Sequence, residues 1–260
     1  MKKIFRIIKE GFFALVSYKN PLTYFKSRLG LFKNQKVTIS LKNGISYVIN
    51  SGTTEIRVID EIWRLKVYDP RLASLGSRAT IIDIGANIGV FSIKAANQAK
   101  DARVFSFEPF PRNFEMLKEN ITLNHLEGRI TPFQLAVSSI TGEEELFFRP
   151  YDSGGGSFKR YGDESELSSI KVKTTTLKSI FEENRIEKCD FIKIDCEGAE
   201  EEILTTAPAE ILNKISIMTI EWHHTLNKMT TEEFMAFLRN AGFEVAYNHS
   251  TLTLYAWKDQ

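Results

Sequence analysis

The chain has 260 residues, of which 43% are hydrophobic, 12% aromatic and 26% charged. That composition suits one large globular unit, or one with an appendage, and excludes collagen-like repeats, low-complexity disorder and a disulfide scaffold. The formal charge of +1 hides an asymmetry: residues 1–40 carry nine Lys/Arg against Glu10 alone, so the remainder is acidic overall. A basic arm on an acidic body points to surface contact by the arm, not to a chain that wraps nucleic acid.

Along the chain, Ile4, Ile7, Ile8, Gly11, Phe12 and Leu15 make an amphipathic helical stripe that Asn20-Pro21 ends, and Leu22, Phe25 and Leu29 begin a second one that stops at Gly30. Residues 37–49 read as a β-hairpin around Asn43-Gly44, the strongest two-residue turn signal. Ile56, Ile59, Trp63 and Val67 predict a helix starting near Thr53 and ending before Pro70. From Thr80 onward, short apolar runs at 81–84, 104–107, 133–137, 191–194 and 215–220 alternate with helical text, the pattern of βαβ units in a parallel sheet covered on both faces. Residues 243–247 and 251–257 are joined too tightly for a helical crossover, so that pair is expected to be antiparallel. Residues 147–176, with Gly154-Gly155-Gly156 at their centre, read as a surface loop, with a lid over the substrate as the alternative.

Cys189 and Cys196 flank one apolar run; as positions along a strand they stand roughly 23 Å apart, beyond disulfide reach. Free thiols suit a reducing compartment. No stretch approaches the roughly 20 apolar residues of a membrane span, and the basic N-terminal segment carries no small-residue cleavage site. The expected location is cytoplasmic, with peripheral membrane contact through residues 1–35 as an option, because lysines flank an Ile/Phe stripe there.

Chemistry concentrates at the ends of the apolar runs. Asp83-Ile84-Gly85-Ala86-Asn87-Ile88-Gly89 closes the first run and opens a helix, with glycines where the backbone must turn sharply or approach a ligand. Glu108 follows at the end of the second run, where a carboxylate can accept two ribose hydroxyls. The pattern lacks the middle glycine of a pyrophosphate loop, and Asp83 suits a cationic ligand such as S-adenosylmethionine better than a diphosphate. In 193–200, Lys-Ile-Asp-Cys-Glu-Gly-Ala-Glu, Asp195 and Glu197 share one face at a strand's carboxyl end, while Glu200, Glu201 and Glu202 suit a helix start. Glu221-Trp222-His223-His224 ends the fifth run.

These motifs in this order, with Phe107-Glu108-Pro109 between them, resemble the FkbM family of S-adenosylmethionine-dependent methyltransferases over residues 78–225. The resemblance implies a class I (Rossmann-like) methyltransferase fold: a seven-stranded, mainly parallel sheet with an antiparallel C-terminal hairpin, here preceded by a helical and β-hairpin extension. Residues 1–75 are then the extension and 76–260 the cofactor-binding domain. It also implies that Asp83, Gly85, Ala86, Asn87 and Gly89 hold the methionine moiety, Glu108 the ribose, and Ala136 the adenine. Of the two histidines, the family's E-x-H pattern picks His223. Lys178 departs from the family, whose members usually carry Asp there.

The implied activity is O-methyl transfer to a hydroxyl of a sugar, glycan precursor or related metabolite. His223, Asp195 and Glu197 are the candidate bases, and together with Glu221 they are also a donor set for Mg²⁺. Nucleic acid is disfavoured as the acceptor, since residues 80–260 hold no basic cleft text. The alternatives are an RNA 2′-O-methyltransferase, an NAD-linked oxidoreductase, and a membrane-surface adaptor without activity.

Overall fold

The computed structural model describes residues 13–32, 35–68, 71–149, 156–159 and 166–258. Residues 4–12 of the first stripe, Pro70 and most of the glycine-rich centre lie outside them. Residues 13–17 form a helical turn, followed by α1 (Pro21–Arg28). The hairpin pairs β1 (Lys36–Ser40) with β2 (Ser46–Asn50), antiparallel from Lys36↔Asn50 to Ser40↔Ser46. Of the turn pair only Gly44 has a positive φ, so the hairpin closes through a longer turn than the two-residue one that Asn43-Gly44 suggests. The helix α2 (Glu55–Asp60) widens into a π-helical turn over Glu61–Leu65 and stops at Lys66, whose φ is 55°.

The main sheet uses β3 (Thr80–Ile84), β4 (Arg103–Phe107), β5 (Ile130–Phe133), β10 (Phe191–Ile194), β11 (Ile217–Glu221), β12 (Glu244–Asn248) and β13 (Thr253–Trp257), in the order β12-β13-β11-β10-β3-β4-β5. All neighbours are parallel except the two pairs made by β13. This is the expected class I methyltransferase architecture. The crossover helices are α3 (Val90–Gln98), α4 (Pro111–Leu123), α5 (Leu177–Glu183), α6 (Glu200–Thr205), α7 (Ala209–Asn213) and α8 (Thr231–Asn240).

Every residue of β3 and β10 is buried, as strands covered on both faces require. Ile81 and Phe191 pack into one core with α3, α4 and the N-terminal extension, from Ala14 through Ile62. Ile82, Ile84, Ile192 and Ile194 pack into the other, with α5 to α8 and the C-terminal hairpin. The strand order reverses direction between β3 and β10, and in such sheets a crevice opens at that point beyond the carboxyl ends of the strands.

Two expectations are corrected. The third run, 133–137, is split: β5 ends at Phe133, while Ala136-Val137 form β6 in a different sheet. Most of the described residues within 147–176 lie in strands, not in an open loop. A second sheet, β6-β9-β7-β8, joins β6 to β7 (Gly142–Phe148), β8 (Gly156–Ser157) and β9 (Ser168–Thr175). After Gly142, β7 carries three glutamates, a residue type depleted in strands, so local preference does not mark it. Register places Glu143 opposite Lys173 and Glu145 opposite Lys171, so opposite charges on paired strands compensate.

Asn120 on α4 joins the extension to this framework. Its amide donates to the carbonyls of Val48 (3.2 Å) and Ile88 (2.9 Å), and its oxygen accepts the Val48 N–H at 2.7 Å. Because this side chain is fully buried, Asn120→Ala leaves three backbone groups unsatisfied and is expected to lower stability by about 2–4 kcal/mol in urea unfolding.

Candidate active site

The turn after β3 hangs from the end of β4: the N–H groups of Gly85 and Ala86 both donate to the Phe107 carbonyl, at 3.0 and 2.9 Å. Gly85 has φ 76°, and a Cβ there would lie 1.8 Å from the backbone oxygen of Asp195, so only glycine lets β3 and β10 end this close together. Asn87, at φ 51°, gives its N–H to Glu108 Oε2 (2.8 Å), and Phe110 gives its own to Oε1 (2.9 Å). Burial pushes the Glu108 carboxyl up to about 7 against the pull of these two donors.

Above the turn is a cavity of about 320 Å³, walled by α2, the β3 and β10 ends, and the second sheet. Gly85, Ala86, Asn87, Glu108 and Ala136 all line it, as do Asp195 and Glu197. Two expected ligands do not. Asp83 is fully buried beneath the cavity, accepting from Ser92 Oγ and paired with Lys193 Nζ at 3.3 Å. Gly89 starts α3, where a Cβ would come within 2.5 Å of Leu117 Cδ1, so it serves the packing of α3 on α4.

Lys193, 3% exposed, reaches Asp83, the Gly85 carbonyl (2.9 Å) and Asp195 Oδ2 (3.4 Å) and lies over the Tyr68 ring. Burial acts to lower its pKa, but Asp83 and Asp195 outweigh burial and leave it raised, so the lysine is a cation. The Tyr68 hydroxyl faces two carboxylates, Glu221 Oε2 at 2.7 Å and Asp195 Oδ2 at 3.2 Å. The charge of Asp195, followed by burial, pushes the Glu221 carboxyl upward. The cavity wall therefore holds Glu61, Glu108, Asp195, Glu197 and Glu221 against Arg57 and Lys193, an acid excess fitted to a cation.

His223 lies behind Glu197. β11 pairs directly with β10, which brings the histidine to the acids that follow β10. Its Nδ1 meets Glu200 Oε1 at 2.7 Å, and its Nε2 lies 3.5 Å from Glu197 Oε2 and 4.0 Å from Glu221 Oε1. Burial works to lower its pKa, yet Glu200, Glu197 and Asp195 prevail and raise it to about 10. His223 is thus an imidazolium at neutral pH, not the open base that the sequence suggested. Glu200, read as one of three dipole-complementing acids, is fully buried, with Asn227 and the Gly198 N–H as further partners. Asp195, Glu197 and His223 offer ligand atoms within 4.8 Å of one another.

The second sheet closes the wall. Gly156 and Phe158 line the cavity, Ser157 Oγ donates to the Glu197 carbonyl (2.6 Å), and Lys159 Nζ donates to the carbonyls of Gly198 (2.6 Å) and Leu226. Lys178 is remote from all of this, paired with Glu182 on α5. Tyr68, Lys193 and Glu200 are the groups that sequence reasoning missed as site residues, and Glu221 was expected only as a donor for Mg²⁺. Lys193 and Glu200 carried a signal, their place at the two ends of one motif, whereas Tyr68 carried none.

Residues 83–245 match the model of the methyltransferase FkbM domain. The chain belongs to the FkbM methyltransferase family. Methyltransferase sdnD of Sordaria araneosa is 26% identical over 77% of this chain and 86% of its own length. The hexuronic acid methyltransferase AglP of Haloferax volcanii is 26% identical over 65% of this chain and 69% of its own. The 31-O-demethyl-FK506 methyltransferase FkbM of Streptomyces tacrolimicus is 25% identical over 83% and 92%. As an FkbM-family member the protein is an S-adenosylmethionine-dependent methyltransferase. Its acid-lined cavity at the sheet's switch point fits a donor that carries a sulfonium and an ammonium group.

The raised pKa of His223 makes stability depend on pH. Relative to an unfolded-state value near 6.5, the contribution is complete below that pH and is lost as pH rises through about 10. Between pH 6.5 and 10 the wild type is expected to lose on the order of 3 kcal/mol more unfolding free energy than His223→Gln, measured by denaturant titration at each pH.

Proposed function

We propose that this methyltransferase acts on a hydroxyl of a sugar, glycan precursor or related metabolite. The observation that carries the reading is the carboxylate pair Asp195–Glu221, bridged by the Tyr68 hydroxyl at the cavity wall. Two acids this close repel each other as anions, so a proton taken up by the pair is stabilised, which is what a base for a departing hydroxyl proton needs. Asp195 Oδ2 is engaged by Tyr68 and Lys193. The hexuronic acid and 31-O-demethyl-FK506 enzymes among its relatives support an oxygen acceptor. At the end of β10 the chain reads Asp195-Cys196-Glu197-Gly198, not the proline-rich motif of enzymes that methylate base amines.

In this reading residues 76–260 are the methyltransferase unit, and residues 1–75 are an accessory unit that contributes α2 and Tyr68 to the cavity. The donor is held by Gly85, Ala86 and Asn87 against the acid wall, with Glu108 at the ribose and Ala136 beside the adenine. When bound, S-adenosylmethionine supplies an electrophilic methyl. The protein aligns the acceptor oxygen with it and removes the hydroxyl proton to Asp195–Glu221. Held by Glu200, the imidazolium of His223 keeps Glu197 oriented along the acceptor side. Asp195, Glu197 and His223 are also the residues that would hold a divalent ion such as Mg²⁺, which would acidify the acceptor hydroxyl in place of direct transfer to carboxylate.

Asp195→Asn and Glu221→Gln are each expected to lower turnover of a hydroxyl acceptor by about 10²–10⁴-fold while S-adenosylmethionine affinity stays within a few-fold. Wild-type turnover in both variants refutes the assignment, and activity lost to a chelator and restored by Mg²⁺ replaces it with the metal route. Glu108→Ala is expected to weaken S-adenosylmethionine binding by about 1.5–3 kcal/mol in isothermal titration.

A further inference from the structure

Nine large hydrophobic side chains are exposed among the described residues, and five of them fall within 17 consecutive positions: Leu15, Val16, Leu22, Leu29 and Leu31. The other four, Leu65, Leu123, Ile140 and Leu252, lie singly along the chain. Exposure is 74% at Leu22 in α1, and 73% and 66% at Leu29 and Leu31 in the turn that follows it. Leu22 and Leu29, the residue that caps α1, are seven positions apart and so on one side of it, with exposed Lys26 between them, while Tyr24 and Ser27 are buried on the opposite side. Single exposed leucines need no explanation, but a group of them on one small element does.

The charge of the same region is one-sided. From Gly11 to Thr54 the sequence contains no aspartate or glutamate, while Lys19, Lys26, Arg28, Lys33, Lys36 and Lys42 all lie there. Lysines interleaved with projecting aliphatic side chains complement an anionic bilayer surface, where the apolar groups enter the headgroup region and the cations stay among the phosphates. Single-stranded nucleic acid would call for exposed rings to stack on. Here Tyr18 and Tyr24 are buried and stack on each other, with centroids 4.6 Å apart.

The segment is tied to a helix that lines the cavity. Tyr18 and Tyr24 donate to the buried Asp60 at 3.2 and 2.9 Å, and Arg28 pairs with it at 3.4 Å. Asp60 ends α2, whose neighbouring residues Arg57, Val58 and Glu61 line the cavity. We propose that the exposed side chains of Leu15, Val16, Leu22, Leu29 and Leu31, with Lys19 and Lys26 among them, dock the protein on an anionic lipid surface. The proposal stands independently of the acceptor reading.

The test is co-sedimentation of the full chain with phosphatidylcholine vesicles, with or without about 30% phosphatidylserine, at low and high salt. Binding is expected only to the anionic vesicles, falling about tenfold at high salt. Leu22→Glu/Leu29→Glu is expected to lower it by at least as much, with an unchanged melting temperature and unchanged S-adenosylmethionine affinity, because both leucines project into solvent. Absence of wild-type binding to anionic vesicles at low salt overturns the proposal, as does undiminished binding by the double variant. So does binding to a polyuridine oligonucleotide in preference to the vesicles.

Discussion

Lys193 is the charge on which the floor of the site depends. It is a buried cation at the junction of β3 and β10, where strand order reverses, held by Asp83 below and Asp195 above and donating to the Gly85 carbonyl. Without it, two carboxylates would stand uncompensated at the base of a cavity that already holds an excess of acid. Breaking a buried pair of this kind by removing one partner typically costs about 3–5 kcal/mol. The lysine also fixes distances: the glycine at 85 permits close approach of the two strands, and the ammonium bridges the gap between their side chains.

The remaining electrostatics follow from that arrangement. With Lys193 committed to Asp83 and Asp195, the rest of the acid wall is balanced only in part, by exposed Arg57 at the rim and by His223 behind Glu197. Burial raises Glu108, burial with repulsion by Asp195 raises Glu61, and repulsion by Asp195 with burial raises Glu221, while His223 is held in its charged form. A cationic ligand relieves this field where an anionic one would add to it. The same logic gives Glu200 its importance. Fully buried and lowered in pKa despite that burial by His223 and Asn227, it fixes both the orientation and the charge of the imidazole.

Two segments outside the main sheet complete the site. The N-terminal extension contributes α2 and Tyr68 and is welded to the framework by Asn120, by the Glu55–Arg112 pair and by the Tyr255 hydroxyl on the Val67 carbonyl. The second sheet contributes Leu146, Gly156 and Phe158, fastened through Ser157 and Lys159 to the turn that carries Glu197 and Gly198. Both segments therefore constrain the geometry of the acid cluster from opposite sides.

The sequence by itself determined the parallel core, the antiparallel C-terminal hairpin, the glycine turn, Glu108, and the positions of Asp195 and Glu197. These are local: apolar runs buried on both faces, turn residues and motif spacings are written in consecutive residues. Strands β7 and β9 escaped because their outward residues are charged and their pairing is set by each other, not by local preference. Tyr68 lies 127 residues from Asp195 and 153 from Glu221, and no spacing rule connects them. The same holds for Asp83 and Gly89, whose motif places them at the site while packing turns one beneath it and the other toward α4. Whether His223 is a base or a cation is likewise undecided by its type. Its charge is set by how many carboxylates the fold gathers around it, because burial and nearby charge, not residue identity, decide which protonation state is stable.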